Sequence, residues 1–179
     1  MPTIIQGKLK FIFPDGWSVS KYDEWIYYRK QFINICGGAK AIDVLGIEKK
    51  ECCWLLEVKD YRQHRRTKTL HLADEVAMKI RDTVAGLVGA QFYSTDDTER
   101  RAARQAVRVK NIRVVLHLEQ PAKHSTLFPR AINPSVVLQR LKQLIKAVDP
   151  HPKVVRMGQM ADIPWRVESP GSRDDKLPA

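Results

Sequence analysis

Hydrophobic residues recur at three- and four-residue intervals over residues 72–91, the spacing of one buried face of an α-helix. The apolar positions are Leu72, Val76, Ile80, Val84, Leu87 and Val88. Over residues 111–119 the apolar positions instead alternate with polar or smaller neighbours, which predicts a strand. Those positions are Ile112, Val114, Leu116 and Leu118.

Apolar runs bounded by turn residues predict five further strands. They cover residues 9–13, 31–36, 40–47, 51–61 and 153–157. A Gly37-Gly38 turn and a charged tip at residues 48–50 separate the middle three, which predicts an antiparallel meander.

Three more helices are predicted. Ser20 followed by Asp23 resembles a capping box that opens a helix over residues 20–30, with Asp in place of the usual Glu or Gln. Residues 95–106 form an Arg-rich helix, and Pro134 in a first turn begins a helix over residues 134–147.

The chain has 179 residues, which is enough for one domain with a core of its own. Neither repeats nor an internal linker divide it, so residues 1–167 are predicted to form a single α/β domain. Residues 168–179 are polar and contain Pro, Gly and Ser, which predicts a flexible C-terminal tail.

Positive charge dominates the composition, with 31 Lys and Arg against 20 Asp and Glu and a net charge of +11. Such a surplus favours a polyanionic partner, because each neutralised phosphate releases condensed counterions. A basic protein that needs no such partner is the alternative. No apolar run reaches the roughly 18–20 residues that cross a bilayer, so we expect no membrane partner and a cytoplasmic location.

Three cysteines and five histidines give no disulfide framework and no metal-ligand spacing. Cys52 and Cys53 are adjacent within an apolar strand, where they serve as small core residues. No zinc site is expected.

The most informative polar residues are Asp43, Glu57 and Lys59. Glu57 and Lys59 are two apart on one strand, so they share a face of the sheet. Opposed residues of an antiparallel pair have a constant index sum, and a turn centred on residue 50 places Asp43 directly across from Glu57. Their Cβ atoms would then be about 5 Å apart.

Two carboxylates at that separation repel each other unless a cation joins them. One explanation is a Mg²⁺ or Mn²⁺ site, since these ions take few protein carboxylates and retain several waters. The other is an ion cluster at the end of a sheet, because an E-x-K pattern is common. The apolar run around Glu57 favours the metal, because buried charge without partners is costly.

At this point the chain resembles the PD-(D/E)xK nuclease superfamily, the restriction-endonuclease-like proteins. The matching residues are Ala41-Ile42-Asp43-Val44 and Leu55-Leu56-Glu57-Val58-Lys59, within a predicted α-β-β-β-α-β order over residues 20–119. Ile42 replaces the proline of the family motif. The resemblance implies a three-layer sandwich with a mixed central sheet.

The resemblance also implies a Mg²⁺-dependent endonuclease that hydrolyses phosphodiester bonds in DNA. Asp43 and Glu57 would bind the metal and Lys59 would position the attacking water. Glu24 would add an acidic group from the first helix, with Asp23 as second choice. Double-strand cleavage would favour a homodimer. The alternatives are a catalytically inactive nucleic-acid-binding module of the same fold, or an interaction or assembly protein.

Basic residues follow the strand that carries Glu57 and are candidate contacts to nucleic acid. These residues are Arg62, Arg65, Arg66 and Lys68. A second group lies on the Arg-rich helix and consists of Arg100, Arg101, Arg104 and Arg108. Arg104 is the candidate contact of this group. A solvated helix face explains the second group equally well.

Overall fold

A computed structural model describes residues 1–64, 66–121 and 132–169. The strands are β1 (Thr3–Gln6), β2 (Leu9–Ile12), β3 (Ser18–Lys21), β4 (Val44–Glu48), β5 (Cys52–Asp60), β6 (Asn111–Glu119), β7 (Lys153–Val155) and β8 (Arg166–Glu168). The helices are α1 (Leu72–Tyr93), α2 (Asp97–Ala106) and α3 (Pro134–Ile145). None of the helices in these ranges is long and apolar enough to cross a membrane.

The central sheet has five strands in the order β3-β4-β5-β6-β7. Strands β3, β4 and β5 pair antiparallel, whereas β5, β6 and β7 run parallel. The crossover from β5 to β6 passes through α1 and α2, as a parallel connection requires. The predicted α/β class with a mixed central sheet is therefore confirmed.

The two faces of this sheet are covered differently. All three helices pack on one face, against core residues such as Leu55 and Leu116. On the opposite face, Leu56 and Val115 pack against a three-stranded antiparallel sheet of order β1-β2-β8 and against Trp165. The layers are thus helices, mixed sheet and small sheet.

Several elements differ from their predictions. Ser20 lies in β3, not at a helix N-terminus, and β3 replaces residues 31–36 as the outer strand of the meander. Residues 20–36 do not form a regular helix and strand. They contain three short helical turns: a 3₁₀ turn at Tyr22–Glu24, a π-helical turn at Tyr28–Phe32 and a 3₁₀ turn at Ile35–Gly37.

Tertiary packing explains this irregular segment. Its aromatic rings lie against α1 at Gly86 and Gly89, where the helix has no side chain in the way. A Cβ at Gly86 would collide with the Tyr22 hydroxyl and approach Phe32 to 3.2 Å, and one at Gly89 would collide with the Tyr27 hydroxyl. The segment therefore takes the path that seats its rings on the helix, at the expense of its own hydrogen-bond regularity.

Short strands at the two ends of the chain were missed. β1 pairs with β2, and β8 pairs with β2 on its other side. Glu168 is consequently part of a sheet and not of the predicted tail, while residues 170–179 lie outside the described residues. Residues 122–131 also lie outside them.

Candidate functional site

The register of β4 and β5 places Asp43 opposite Glu57. Val44 pairs with Leu56 and Leu45 with Leu55, as predicted, and Asp43 lies one step beyond the end of β4. The Val58 amide donates a hydrogen bond of 2.7 Å to Asp43 Oδ2. Asp43 is therefore held by the backbone of the neighbouring strand, next to the Glu57 side chain.

A cation that sequence reasoning missed lies between the two carboxylates. Lys79 of α1 places its Nζ 2.5 Å from Glu57 Oε1 and 3.7 Å from Asp43 Oδ1. In the sequence Lys79 follows the apolar position Val76 by three residues and Glu75 by four, which is the same helix face. That spacing indicates that Lys79 lies near the buried face of the helix. It does not indicate which residue of the sheet the lysine contacts.

Lys59 joins this group to a third buried carboxylate. Its Nζ lies 2.9 Å from Glu57 Oε1 and 3.3 Å from Glu75 Oε1. Glu75 also binds Arg66 at 2.6 Å and Lys68 at 2.7 Å. The buried ion cluster, as we call it, consists of Asp43, Glu57, Glu75, Lys59, Lys79, Arg66 and Lys68.

Burial dominates the electrostatics of Glu57, whose side chain has no exposed surface. Desolvation, and then the repulsion of Asp43, raise the pKa of Glu57 to about 7 in spite of Lys79 and Lys59. Its second oxygen, Oε2, is buried without a hydrogen-bond partner in the described part of the chain. A carboxyl oxygen in that setting is the natural place for a proton.

The other members of the cluster are held in their charged forms. Burial by itself raises the pKa of Glu75, but hydrogen bonds from Lys68 and Arg66 bring it down to about 2. Burial likewise lowers the pKa of Lys59, and the charges of Glu57 and Glu75 more than reverse this, so that it lies above its ordinary value.

These residues do not fit a divalent metal in the arrangement observed. The Lys79 ammonium lies where an ion bridging Asp43 and Glu57 would have to bind. Among residues 1–64, 66–121 and 132–169, no three His, Cys, Asp or Glu side chains are grouped so that they could hold a metal ion. Lysines balance the paired carboxylates here, as the ion-cluster alternative expects.

Of the two acidic residues predicted to join the site, the second choice, Asp23, is more buried than the first choice, Glu24. Glu24 is on the surface, where Lys21 approaches it to 3.3 Å. Asp23 is half-buried, and its Oδ1 has no hydrogen-bond partner among the described residues. Burial, followed by the charge of Asp43, raises the pKa of Asp23. Asp23 is thus the residue of this pair whose field reaches the buried ion cluster.

The predicted nucleic-acid contacts divide into paired and unpaired cations. Arg62 forms a bidentate pair with Asp60, with contacts of 2.9 and 2.6 Å. Arg66 and Lys68 bind Glu75, so all three cations already have carboxylate partners. Arg65 lies outside the described residues.

The Arg-rich helix α2 presents its charge more openly. Arg100 pairs with Asp97, but Arg101, Arg104 and Arg108 are exposed and contact no carboxylate in the described part of the chain. Arg104 Nε donates to the Gln91 carbonyl at 3.3 Å, which holds it beside the end of α1. Arg101 and Arg104 are three residues apart on α2, and Arg108 lies in the turn two residues after its end. We call Arg101, Arg104 and Arg108 the α2 arginine face.

Comparison with known proteins finds a relative that matches part of the chain. No protein-family model matches the chain, and no solved structure matches it. A cysteine–tRNA ligase of Neisseria meningitidis serogroup A / serotype 4A is 32% identical over a 160-residue alignment that covers 72% of this chain. The alignment covers 23% of the ligase, so the chain corresponds to less than a quarter of that protein's length.

This similarity overturns the predicted function. The nuclease prediction, with hydrolysis of phosphodiester bonds by an endonuclease, is wrong, because the matching protein is named as a tRNA ligase. The E-x-K pattern does not by itself specify a metal, because Lys79 also supplies positive charge to the two carboxylates. The relative is named as a ligase, which is an enzyme.

Proposed function

We propose that this chain is a tRNA-binding module with a role related to that of the aminoacyl-tRNA ligases. The name of the relative supplies the partner, tRNA, and its length limits what can be carried over. Because the alignment covers 23% of the ligase, the proposal concerns the binding of tRNA and not the complete ligase reaction.

The observation that carries the proposal is the α2 arginine face. A guanidinium without a carboxylate partner is free to bind a phosphate, and its planar fork suits two phosphate oxygens at once. Arg66 and Lys68 have already neutralised Glu75, so they gain less from a phosphate. The unpaired arginines of α2 are therefore better placed for RNA than the cations that follow β5.

Titration of the protein with tRNA at increasing NaCl concentration, followed by fluorescence anisotropy, tests this proposal. We expect binding that weakens steeply with salt, as phosphate contacts release counterions. Replacing Arg101, Arg104 and Arg108 together by Gln should weaken binding by about 10-fold or more. It should also reduce the slope of log K against log salt by about 2–3, since each phosphate contact contributes roughly 0.7–0.9.

A matched control removes three positive charges elsewhere. Lys10, Arg140 and Lys153 pair with Glu168, Asp74 and Asp162 respectively, and their triple Gln variant should bind tRNA with nearly the native slope. Equal loss in both variants would reduce the effect to net charge. Absence of tRNA binding at low salt would refute the proposed function, and equal affinity for duplex DNA would leave nucleic acid as the partner without tRNA preference.

Three further features stay proposals. The mixed sheet and the placement of Asp43, Glu57 and Lys59 support a fold of restriction-endonuclease-like type, although its first helix is replaced here by short turns. Mg²⁺ or Mn²⁺ binding at Asp43 and Glu57 is proposed only for a state in which Lys79 has withdrawn. A homodimer stays a prediction, which sedimentation would test.

A further inference from the structure

Two aromatic side chains at the end of α1 are exposed where a helix usually carries polar residues. Phe92 is 64% exposed and Tyr93 is 73% exposed. Their ring centroids are 6.2 Å apart at an interplanar angle of 54°, so the rings are tilted and not stacked on each other, and both are open to solvent. Single exposed apolar residues are ordinary on a protein surface, whereas adjacent ones that form a patch mark interaction sites.

One member of the α2 arginine face, Arg104, lies beside the end of α1 that carries this pair. Arg104 binds the carbonyl of Gln91, the residue immediately before Phe92, so a guanidinium and the rings are neighbours. The carbonyl end of α1 carries partial negative charge, which favours the arginine there. The surface thus combines aromatic faces with positive charge that no described carboxylate neutralises.

We propose that Phe92 and Tyr93 form a stacking platform for unpaired bases of RNA, with Arg104 binding the adjoining phosphate. This inference rests on the proposed function, and it specifies that an unpaired segment of the RNA is bound. Every base has a π-face that can stack on an aromatic ring, so such a platform tolerates any sequence. A duplex offers only its phosphates, because its bases are already stacked.

Charge complementarity favours RNA over a protein partner for this surface. A protein that covered two aromatic rings would also have to place carboxylates opposite Arg101, Arg104 and Arg108, or leave these arginines desolvated and unpaired. An unpaired stretch of RNA supplies bases and phosphates in alternation. It satisfies both halves of the surface with one repeating unit.

The platform is also remote from the buried ion cluster. Glu75 lies in the first turn of α1 and Tyr93 is its last residue, so the two are about 27 Å apart at a rise of about 1.5 Å per residue. Substitutions at Phe92 and Tyr93 therefore leave the cluster untouched. Because both rings are exposed, these substitutions should also leave folding unchanged.

The test compares oligouridine with an RNA duplex of equal length. A Phe92→Ala/Tyr93→Ala variant should bind oligouridine at least 10-fold more weakly, since loss of one stacked base costs roughly 5- to 150-fold. Its affinity for the duplex and its salt slope should stay native, because no charge is removed. Phe92→Tyr/Tyr93→Phe should bind normally. Leu144→Ala, which truncates an exposed apolar residue of α3, is the control.

Each outcome separates the two proposals. Native binding of oligouridine by the alanine variant, or equal loss for single-stranded and duplex RNA, overturns the platform and leaves the tRNA proposal to its own titration. Conversion of a native dimer to a monomer by the alanine variant would assign the rings to contact with a second copy of this chain. Failure of the native protein to bind tRNA refutes the proposed function, whatever the platform does with oligouridine.

Discussion

Replacement of Lys79 by Met should destabilise the protein in a way that depends on pH. The substitution removes the ammonium that lies 2.5 Å from Glu57 Oε1 and 3.7 Å from Asp43 Oδ1, but it retains an unbranched apolar stem. Removing one partner from a buried ion pair costs about 3–5 kcal/mol when the remaining charge is left uncompensated. Lys59 still lies 2.9 Å from Glu57 Oε1, so we expect a loss at the lower end of that range at about pH 8, where Glu57 of the native protein is ionised.

The native protein sets the direction of the pH dependence. The folded pKa of Glu57 is about 7, above its ordinary value of 4.5. Stability from protonated Glu57 is therefore fully present below pH 4.5 and is lost as pH rises through 7, by about 3 kcal/mol at about 1.4 kcal/mol per pKa unit. Without Lys79 that pKa rises further, so the loss extends to higher pH.

Urea denaturation at about pH 5 and about pH 8 measures the effect. At the lower pH, Glu57 is protonated in both proteins, and Lys79→Met should cost much less. Glu57→Gln supplies the second arm of a double-mutant cycle, since the neutral amide should remove most of the penalty of losing Lys79. Lys142→Met, an exposed substitution on α3, is the matched control.

A cost below about 1 kcal/mol at about pH 8, or the same cost at both pH values, would refute the reasoning. Either result would mean that solvent or rearranged side chains compensate the two carboxylates. The description of these residues as a lysine-balanced cluster would then fail.

Three other predictions concern the same packing and charges. Gly86→Ala should cost about 1–3 kcal/mol, because its Cβ would collide with the Tyr22 hydroxyl. Tyr22→Phe should restore most of that loss in urea denaturation, and it should cost little alone because this hydroxyl is buried without a partner in the described part of the chain. Mg²⁺ should raise the melting temperature of Lys79→Met more than that of the native protein, and equal shifts would contradict ammonium occupancy of a potential metal site. Glu75→Gln should cost about 2–3 kcal/mol at neutral pH, and the difference should vanish as pH falls from 4.5 through about 2, the depressed pKa of Glu75. Parallel acid-denaturation curves for the two proteins would contradict this.

Local sequence patterns predicted the parts of the fold that depend on local periodicity. The strand Asn111–Glu119 and the long helix α1 follow directly from alternation and from three- and four-residue spacing. The hairpin register was also predictable, since a charged tip between two apolar runs leaves few alignments that keep both strands buried. Asp43 and Glu57 were placed opposite each other by that argument alone.

The segment between β3 and β4 could not be predicted in the same way. Its apparent capping box at Ser20 is a feature of sequence that a helix would use, but β3 extends through it. The deciding contacts are aromatic rings on Gly86 and Gly89, more than fifty residues away. Local propensity gave way to packing, because seating large rings on a helix buries more apolar surface than a regular helix would.

The buried ion cluster shows why an acidic pair on a sheet does not by itself identify a metal. A carboxylate at Asp43 facing one at Glu57 requires positive charge nearby, and sequence spacing specifies the requirement without specifying the cation. Lys79 supplies this charge from α1, at the end of a flexible side chain. The sequence does not show whether such a side chain points toward the sheet or into solvent. With Lys79 and Lys59 both in place, a metal ion would add repulsion to the site. On the proposal that a metal binds when Lys79 withdraws, the metal and the Lys79 ammonium would compete for the same two carboxylates, and the position of this one side chain of α1 would decide between them.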